Sequence, residues 1–218
     1  MSTTRRLRTV PPRAVVGLAA AAMLLAACGG GDTDDTAIKK KPDPVGTEID
    51  VTAGAVAVVS AGSPDIALAD EVRDQIVDSV REYITVASVV PLRTGQPAGE
   101  FGELFTATAT ARAISVDRPV LTDEGLSPAT KTVVARAAPI PLTVLADQRG
   151  DIVLITAGLD LGISTSTARG SVTIVRRGEL TFAPDGEFWK IASFDLAVAR
   201  DGPGIEDPPV APSEEGSP

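Results

Sequence analysis

The side chains able to do chemistry in this chain make a short inventory. Its 218 residues include no histidine, one cysteine, one tyrosine and one tryptophan. A Ser-His-Asp triad, a Cys-His dyad, a His-ligated zinc and a haem with a proximal His each require a residue that is absent. One cysteine closes no intramolecular disulfide and builds no Cys₄ centre. Acid–base work would fall to carboxylates such as Asp160 and Asp195, to Tyr83, or to a lysine such as Lys131 or Lys190. An ordinary carboxylate titrates near pKa ~4 and is a poor base at neutral pH, so a catalytic one must be buried in an apolar site. No Walker loop or paired-glycine nucleotide fingerprint follows a strand. Asp32, Asp34 and Asp35 are too few for a calcium loop. No cofactor, no metal and no catalytic residue is therefore expected. The formal charge of -9 argues against a nucleic-acid partner, whose phosphates need a basic surface.

The cysteine has its own context. Arg5, Arg6, Arg8 and Arg13 precede an apolar run from Ala14 to Ala27, with no acid before Asp32. Fourteen helical residues reach ~21 Å, short of the ~30 Å hydrocarbon core, so the run predicts a secretory signal rather than a permanent span. It ends in Leu25-Ala26-Ala27-Cys28, which resembles the bacterial lipobox. The resemblance implies a diacylglycerol on the Cys28 sulfur and a mature chain that starts there, held at the outer face of the cytoplasmic membrane. Two or more acyl chains anchor stably where one does not. Arg5-Arg6 is similar to a twin-arginine export signal, but the flanking Thr3-Thr4 and Leu7-Arg8 fit that pattern poorly, which favours ordinary secretion. Loss of residues 1–27 removes four of the 20 basic residues and no acid, leaving 16 against 29 and a formal charge of -13. Such a surface is repelled by anionic headgroups and is expected to stand off the bilayer.

The elements that must position these groups follow from composition and period. Residues 28–47 read as a flexible tether and 202–218 as a disordered acidic Pro/Gly-rich tail, leaving one domain over 48–201. Within the tether, Lys39-Lys40-Lys41 reads equally as a headgroup contact and as solvated linker. Ile49–Val59 predicts a strand. Ser63-Pro64-Asp65 predicts a helix start, and Leu68, Val72, Ile76, Val80, Tyr83, Ile84 and Ala87 form its apolar stripe, ending near Val89 before Pro91. A shorter helix is expected over Gly102–Ala113. Four strands then follow, Lys131–Asp147, Ile152–Thr165, Ser171–Ala183 and Phe188–Arg200, separated by turn signals. Pro139 and Pro141 place the first of them at an edge or a bulge. Alternation puts Val153 through Ile163 on one face and leaves Asp160 on the solvated side. Arg136 and Asp195 are left unassigned. In the last strand Trp189 and Ile191 are odd while Phe194, Leu196 and Val198 are even, which predicts a bulge near Ala192-Ser193. Trp189 is expected to be largely buried.

The expected fold class is α+β, with one long and one short N-terminal helix packed on a bent antiparallel sheet of four to five strands. This order, ending in Glu187-Phe188-Trp189-Lys190-Ile191-Ala192, resembles the nuclear transport factor 2-like superfamily over about residues 64–200. The resemblance implies a cone whose interior serves catalysis on small apolar molecules or protein association. A lipid-anchored, non-enzymatic envelope protein binding a partner protein or an apolar ligand is the expectation. The alternatives are a cone-fold isomerase, dehydratase or hydrolase working through carboxylates, and a structural lipoprotein with no ligand.

Overall fold

Seven strands make one mixed sheet in the computed structural model, which describes residues 45–60 and 66–205. They are β1 (Thr47–Asp50), β2 (Ala53–Ser60), β3 (Val133–Ala137), β4 (Ile140–Ala146), β5 (Ile152–Thr167), β6 (Gly170–Asp185) and β7 (Phe188–Asp201). The last three are long antiparallel neighbours joined by tight turns. On its other edge β5 pairs with β4 through its first half and with β3 through its second. β1 runs parallel to β3, and β2 parallel to β4.

The sheet is not wholly antiparallel, because the helical residues between Ser60 and Val133 form a crossover long enough to return the chain in the same direction. The expected five strands become seven because two of them break. Lys131–Asp147 parts at Ala138-Pro139, and Ile49–Val59 at Val51-Thr52. Pro141 lies in a strand paired on both sides rather than at an edge. It has no N–H to donate, and the partner strand bulges there, since the register steps from Ala53↔Ile140 to Val56↔Leu142. Gly54 in that bulge is held by close approach: a Cβ would lie 2.9 Å from the Ile140 carbonyl.

The long helix also differs from its expected bounds. Ser63, Pro64 and Asp65 lie outside the described residues, and α1 runs Asp70–Ile84 with Asp70 and Glu71 at its positive end. It continues as a π-helical turn, Thr85–Val89, into α2 (Val90–Thr94), passing through Pro91 rather than stopping before it. Pro91 cannot donate to the Ala87 carbonyl. The Asp123 N–H does so instead, at 2.8 Å. Gly95, at φ 67°, ends the helix.

The expected helix over Gly102–Ala113 is interrupted. A 3₁₀ turn spans Phe101–Leu104, Phe105 is extended, and α3 covers Ala107–Ile114. The tertiary pairing of Phe105 with Ile191, completed by Thr106 N–H donating to the Ile191 carbonyl at 3.0 Å, overrides local helical preference. A further short helix, α4 (Arg118–Leu121), has no counterpart in the sequence reading.

The core lies between these helices and the inner face of the sheet. Ile155, Ala157, Leu159, Leu161 and Ile163 are buried as the alternation of β5 predicts, and the helical stripe is buried from Ile76 to Ala87. The bulge in β7 falls where parity slips: Thr181 pairs with Ser193 and Phe182 with Ile191, leaving Ala192 extra. Gly202–Ile205, expected to belong to the tail, fold back on the sheet, with Gly204 N–H donating to the Ser171 carbonyl at 3.1 Å.

Candidate functional site

Two places in the domain bring polar chemistry to the inner face of the sheet. The first is shut away from water. Arg176 of β6 is fully buried; its Nη1 donates to Ser88 Oγ at 2.8 Å and its Nη2 to Asp123 Oδ2 at 3.1 Å. Arg200 of β7 donates from Nε to Asp123 Oδ1 at 2.9 Å and from Nη2 to the Thr122 and Pro119 carbonyls. Both oxygens of one buried carboxylate are thus taken by guanidinium groups. Tyr83 lies beside them with its ring 5.8 Å from the Arg176 guanidinium carbon, and its hydroxyl donates to the Leu121 carbonyl at 3.0 Å. Burial pushes the Tyr83 phenol up to about 12, an effect that the nearby Arg176 charge partly offsets. Among the described residues, Arg176 Nε is the buried side-chain polar atom left without a partner. A filled, paired cluster of this kind holds structure and offers no space to a substrate.

The second place is open. At the β6–β7 hairpin end, about 20 Å from Arg176 along β6 at ~3.4 Å per residue, a groove of about 390 Å³ lies between α1 and the start of β7. Phe182, Ile191, Leu104 and Val86 supply its apolar floor and wall. Trp189 is half-buried there and Phe188, at the hairpin tip, is 68% exposed. The bulge at Ala192 is what lets Trp189 and Ile191 share the inner face with Phe194, and so aims the tryptophan into the groove. Its rim carries Asp78, Glu82, Glu100 and Glu103 against one cation, Lys190.

No family model, no curated protein and no solved structure matches this chain. The geometry therefore has to carry the functional reading by itself.

The residues singled out from the sequence fall as follows. Cys28 and the lipobox, the lysine run at 39–41 and the aspartates at 32, 34 and 35 lie outside the described residues. Asp160 is exposed, as its alternation predicts, and accepts a hydrogen bond from Arg177 Nε at 2.9 Å on the outer face. Asp195 is exposed and Arg136 is exposed near Glu48. Tyr83 is core, as its place on the apolar stripe implies, and its hydroxyl is buried with the ring. Neither Asp160 nor Asp195 comes near it through any hydrogen bond or ion pair. Lys131 is exposed, and Lys190 lines the groove, where it pairs with Asp185 at 3.1 Å. Trp189, expected to be largely buried, is partly buried and packs against the core from its edge: Phe182 and Ile191 are covered fully, while the hairpin end beyond them is left open.

Sequence reasoning missed the buried ion cluster. A signal existed for Arg176, which shares even parity with Val172, Ile174, Leu180 and Phe182 and so must point inward with them. Nothing local marks Asp123 or Ser88, because each meets its partners far along the chain: Ser88 meets Arg176, and Asp123 meets Arg176, Arg200 and the Ala87 carbonyl.

Among the described residues no group of three or more acidic or sulfur ligands could hold a metal, and no helix is long and apolar enough to cross a membrane.

Proposed function

We propose that this chain is a lipid-anchored protein of the bacterial cell envelope, tethered through Cys28 to the outer face of the cytoplasmic membrane. Its domain, of the nuclear transport factor 2-like kind, binds a small apolar ligand and does no catalysis. The groove between α1 and β7 carries this reading: an apolar cleft of about 390 Å³ with a half-buried tryptophan and an exposed phenylalanine is within the ~300–1,000 Å³ of small-molecule sites. The order of a long helix, a shorter one and three long antiparallel strands with a bulged last strand supports the family resemblance. The non-enzymatic reading draws on the inventory of acids. Asp123 is the buried carboxylate among the described residues, and both its oxygens are occupied. With a guanidinium group on each oxygen and no open space beside it, that carboxylate has no lone pair aimed at a substrate.

The anchor and the groove are tested separately. Cys28→Ser is expected to abolish incorporation of labelled fatty acid and to block normal processing; labelling and maturation that persist in the substituted chain overturn the anchor. Native mass spectrometry of the detergent-extracted protein is expected to show a retained small molecule that Trp189→Ala releases. Retention unchanged by that substitution overturns the assignment of the groove.

A further inference from the structure

The groove is selective in charge as well as polarity. Of its four rim carboxylates, Asp78 is paired with Arg81, while the side chains of Glu82, Glu100 and Glu103 form no hydrogen bond or ion pair among the described residues. The lining cation, Lys190, is engaged by Asp185 at 3.1 Å. Glu82 stands on α1, one turn beyond Asp78 on the wall of the groove, and Glu100 and Glu103 come from the 3₁₀ turn and the residue before it. Three uncompensated negative charges around a low-dielectric cleft raise the local concentration of cations and repel anions. The faces of Phe188 and Trp189 act in the same direction, since an aromatic ring attracts a cation and repels an anion placed over it. An apolar floor wants hydrocarbon; an aromatic and acidic rim wants positive charge.

We infer that the groove takes a small organic cation, an apolar body carrying one ammonium group. The inference rests on the reading of this groove as a ligand site and names the chemistry of its ligand. A neutral apolar molecule would fill the floor and leave the rim unused. A fatty-acid carboxylate would meet the rim with like charge.

Trp189 is the chain's single tryptophan, so its emission reports on the groove alone. The full chain in neutral detergent is titrated with three probes that share one body: phenylbutylammonium, phenylbutanol and phenylbutyrate. The amine is expected to shift Trp189 emission saturably, with a Kd at least about tenfold below that of the alcohol, and the carboxylate to bind weakest. Raising the salt to about 0.5 M is expected to shrink the gap between amine and alcohol, because the rim charges are exposed and screened. Glu82→Gln combined with Glu103→Gln is expected to bring the amine close to the alcohol while leaving the alcohol unchanged. Equal Kd values for amine and alcohol, or tightest binding by the carboxylate, overturn the charge selectivity and leave the groove standing as an apolar site. No saturable response to any of the three overturns the ligand reading itself.

Discussion

The two ends of the β6–β7 pair use the same inner face in opposite ways. Toward Arg176, the π-helical turn and the segment 117–123 close over the sheet and seal a carboxylate between two guanidinium groups. Toward the hairpin, only the flank of α1 and the 3₁₀ turn approach, and two aromatic side chains are left in contact with water. Charge that is shut in must be paired, or it destabilises the fold by several kcal/mol. Aromatic area left out is covered by nothing among the described residues, and covering it is favourable. The closed end should therefore govern stability and the open end binding, and substitutions in the two places should separate these effects.

The largest effect is expected at Asp123. Asp123→Ala leaves the guanidinium of Arg176 buried with only Ser88 as a partner, and breaking a buried pair in this way costs about 3–5 kcal/mol. Chemical denaturation measures the loss. Asp123→Leu combined with Arg176→Met should recover most of it, since an apolar pair of similar volume often does as well as a buried ion pair and Arg200, 23% exposed, can turn to water. Groove ligands should bind the folded variant unchanged. A stability within about 1 kcal/mol of the parent, or a groove affinity that moves with it, breaks the separation.

Tyr83 sharpens the same end. Tyr83→Phe leaves the buried Leu121 carbonyl without its donor, a cost of about 1–3 kcal/mol. It also removes a pH dependence. The phenol titrates at about 12 in the folded chain against ~10 when unfolded, so the folded state holds this proton more tightly. Stability from that difference is complete below about pH 10 and is lost as pH rises from about 10 toward 12, by roughly 3 kcal/mol in all. Denaturation of parent and variant across that window should show the parent declining faster. Parallel curves would mean that the hydroxyl reaches solvent.

What the residue order reveals, and what it hides, divides along the same line. Patterns with a fixed period are legible: the stripe from Ile76 to Ala87, the alternation of β5, and the parity slip that marks Ala192 as a bulge. Each depends on a face being buried, whatever buries it. Features that depend on which segments meet are not legible in that way. The parallel pairing of β1 and β2 follows from the crossover that returns the chain, and their residues look the same in either direction. Asp123 meets the Ala87 carbonyl left free by Pro91, a link across more than thirty residues. The groove exists because the helix covers Phe182 and Ile191 but not the hairpin tip beyond them. An aromatic residue near the last turn gives no hint of that shortfall.

Trp189 tests the open end. A fully buried tryptophan cut to alanine costs about 3–5 kcal/mol, but this one is half-buried at the edge of the core and should cost about 1–2. The same substitution should abolish the binding seen at the groove, as measured by calorimetry once the fluorophore is gone. A loss above about 3 kcal/mol would place Trp189 in the closed core and remove the contrast between the two ends.

The smallest effects are expected at the two carboxylates that chemistry in this chain would first enlist, and their signs should differ. Asp160 faces Arg177 at 2.9 Å on the outer face with both side chains more than half exposed, so Asp160→Asn loses at most a surface pair and should destabilise by less than about 1 kcal/mol. Asp195 sits directly across from Glu179 in the β6–β7 register, and both are exposed. Like charges opposite one another on a sheet repel, so Asp195→Asn should stabilise by a few tenths of a kcal/mol, roughly 0.2–1 at most. Thermal melts of the two variants therefore move in opposite directions about the parent, and more salt narrows both differences because the charges are screened. Neither should alter the groove titration or the phenotype of the intact gene. If either substitution removed function while its melt stayed in place, the outer face would hold the working carboxylate and a reaction, rather than binding, would be the better account of this domain.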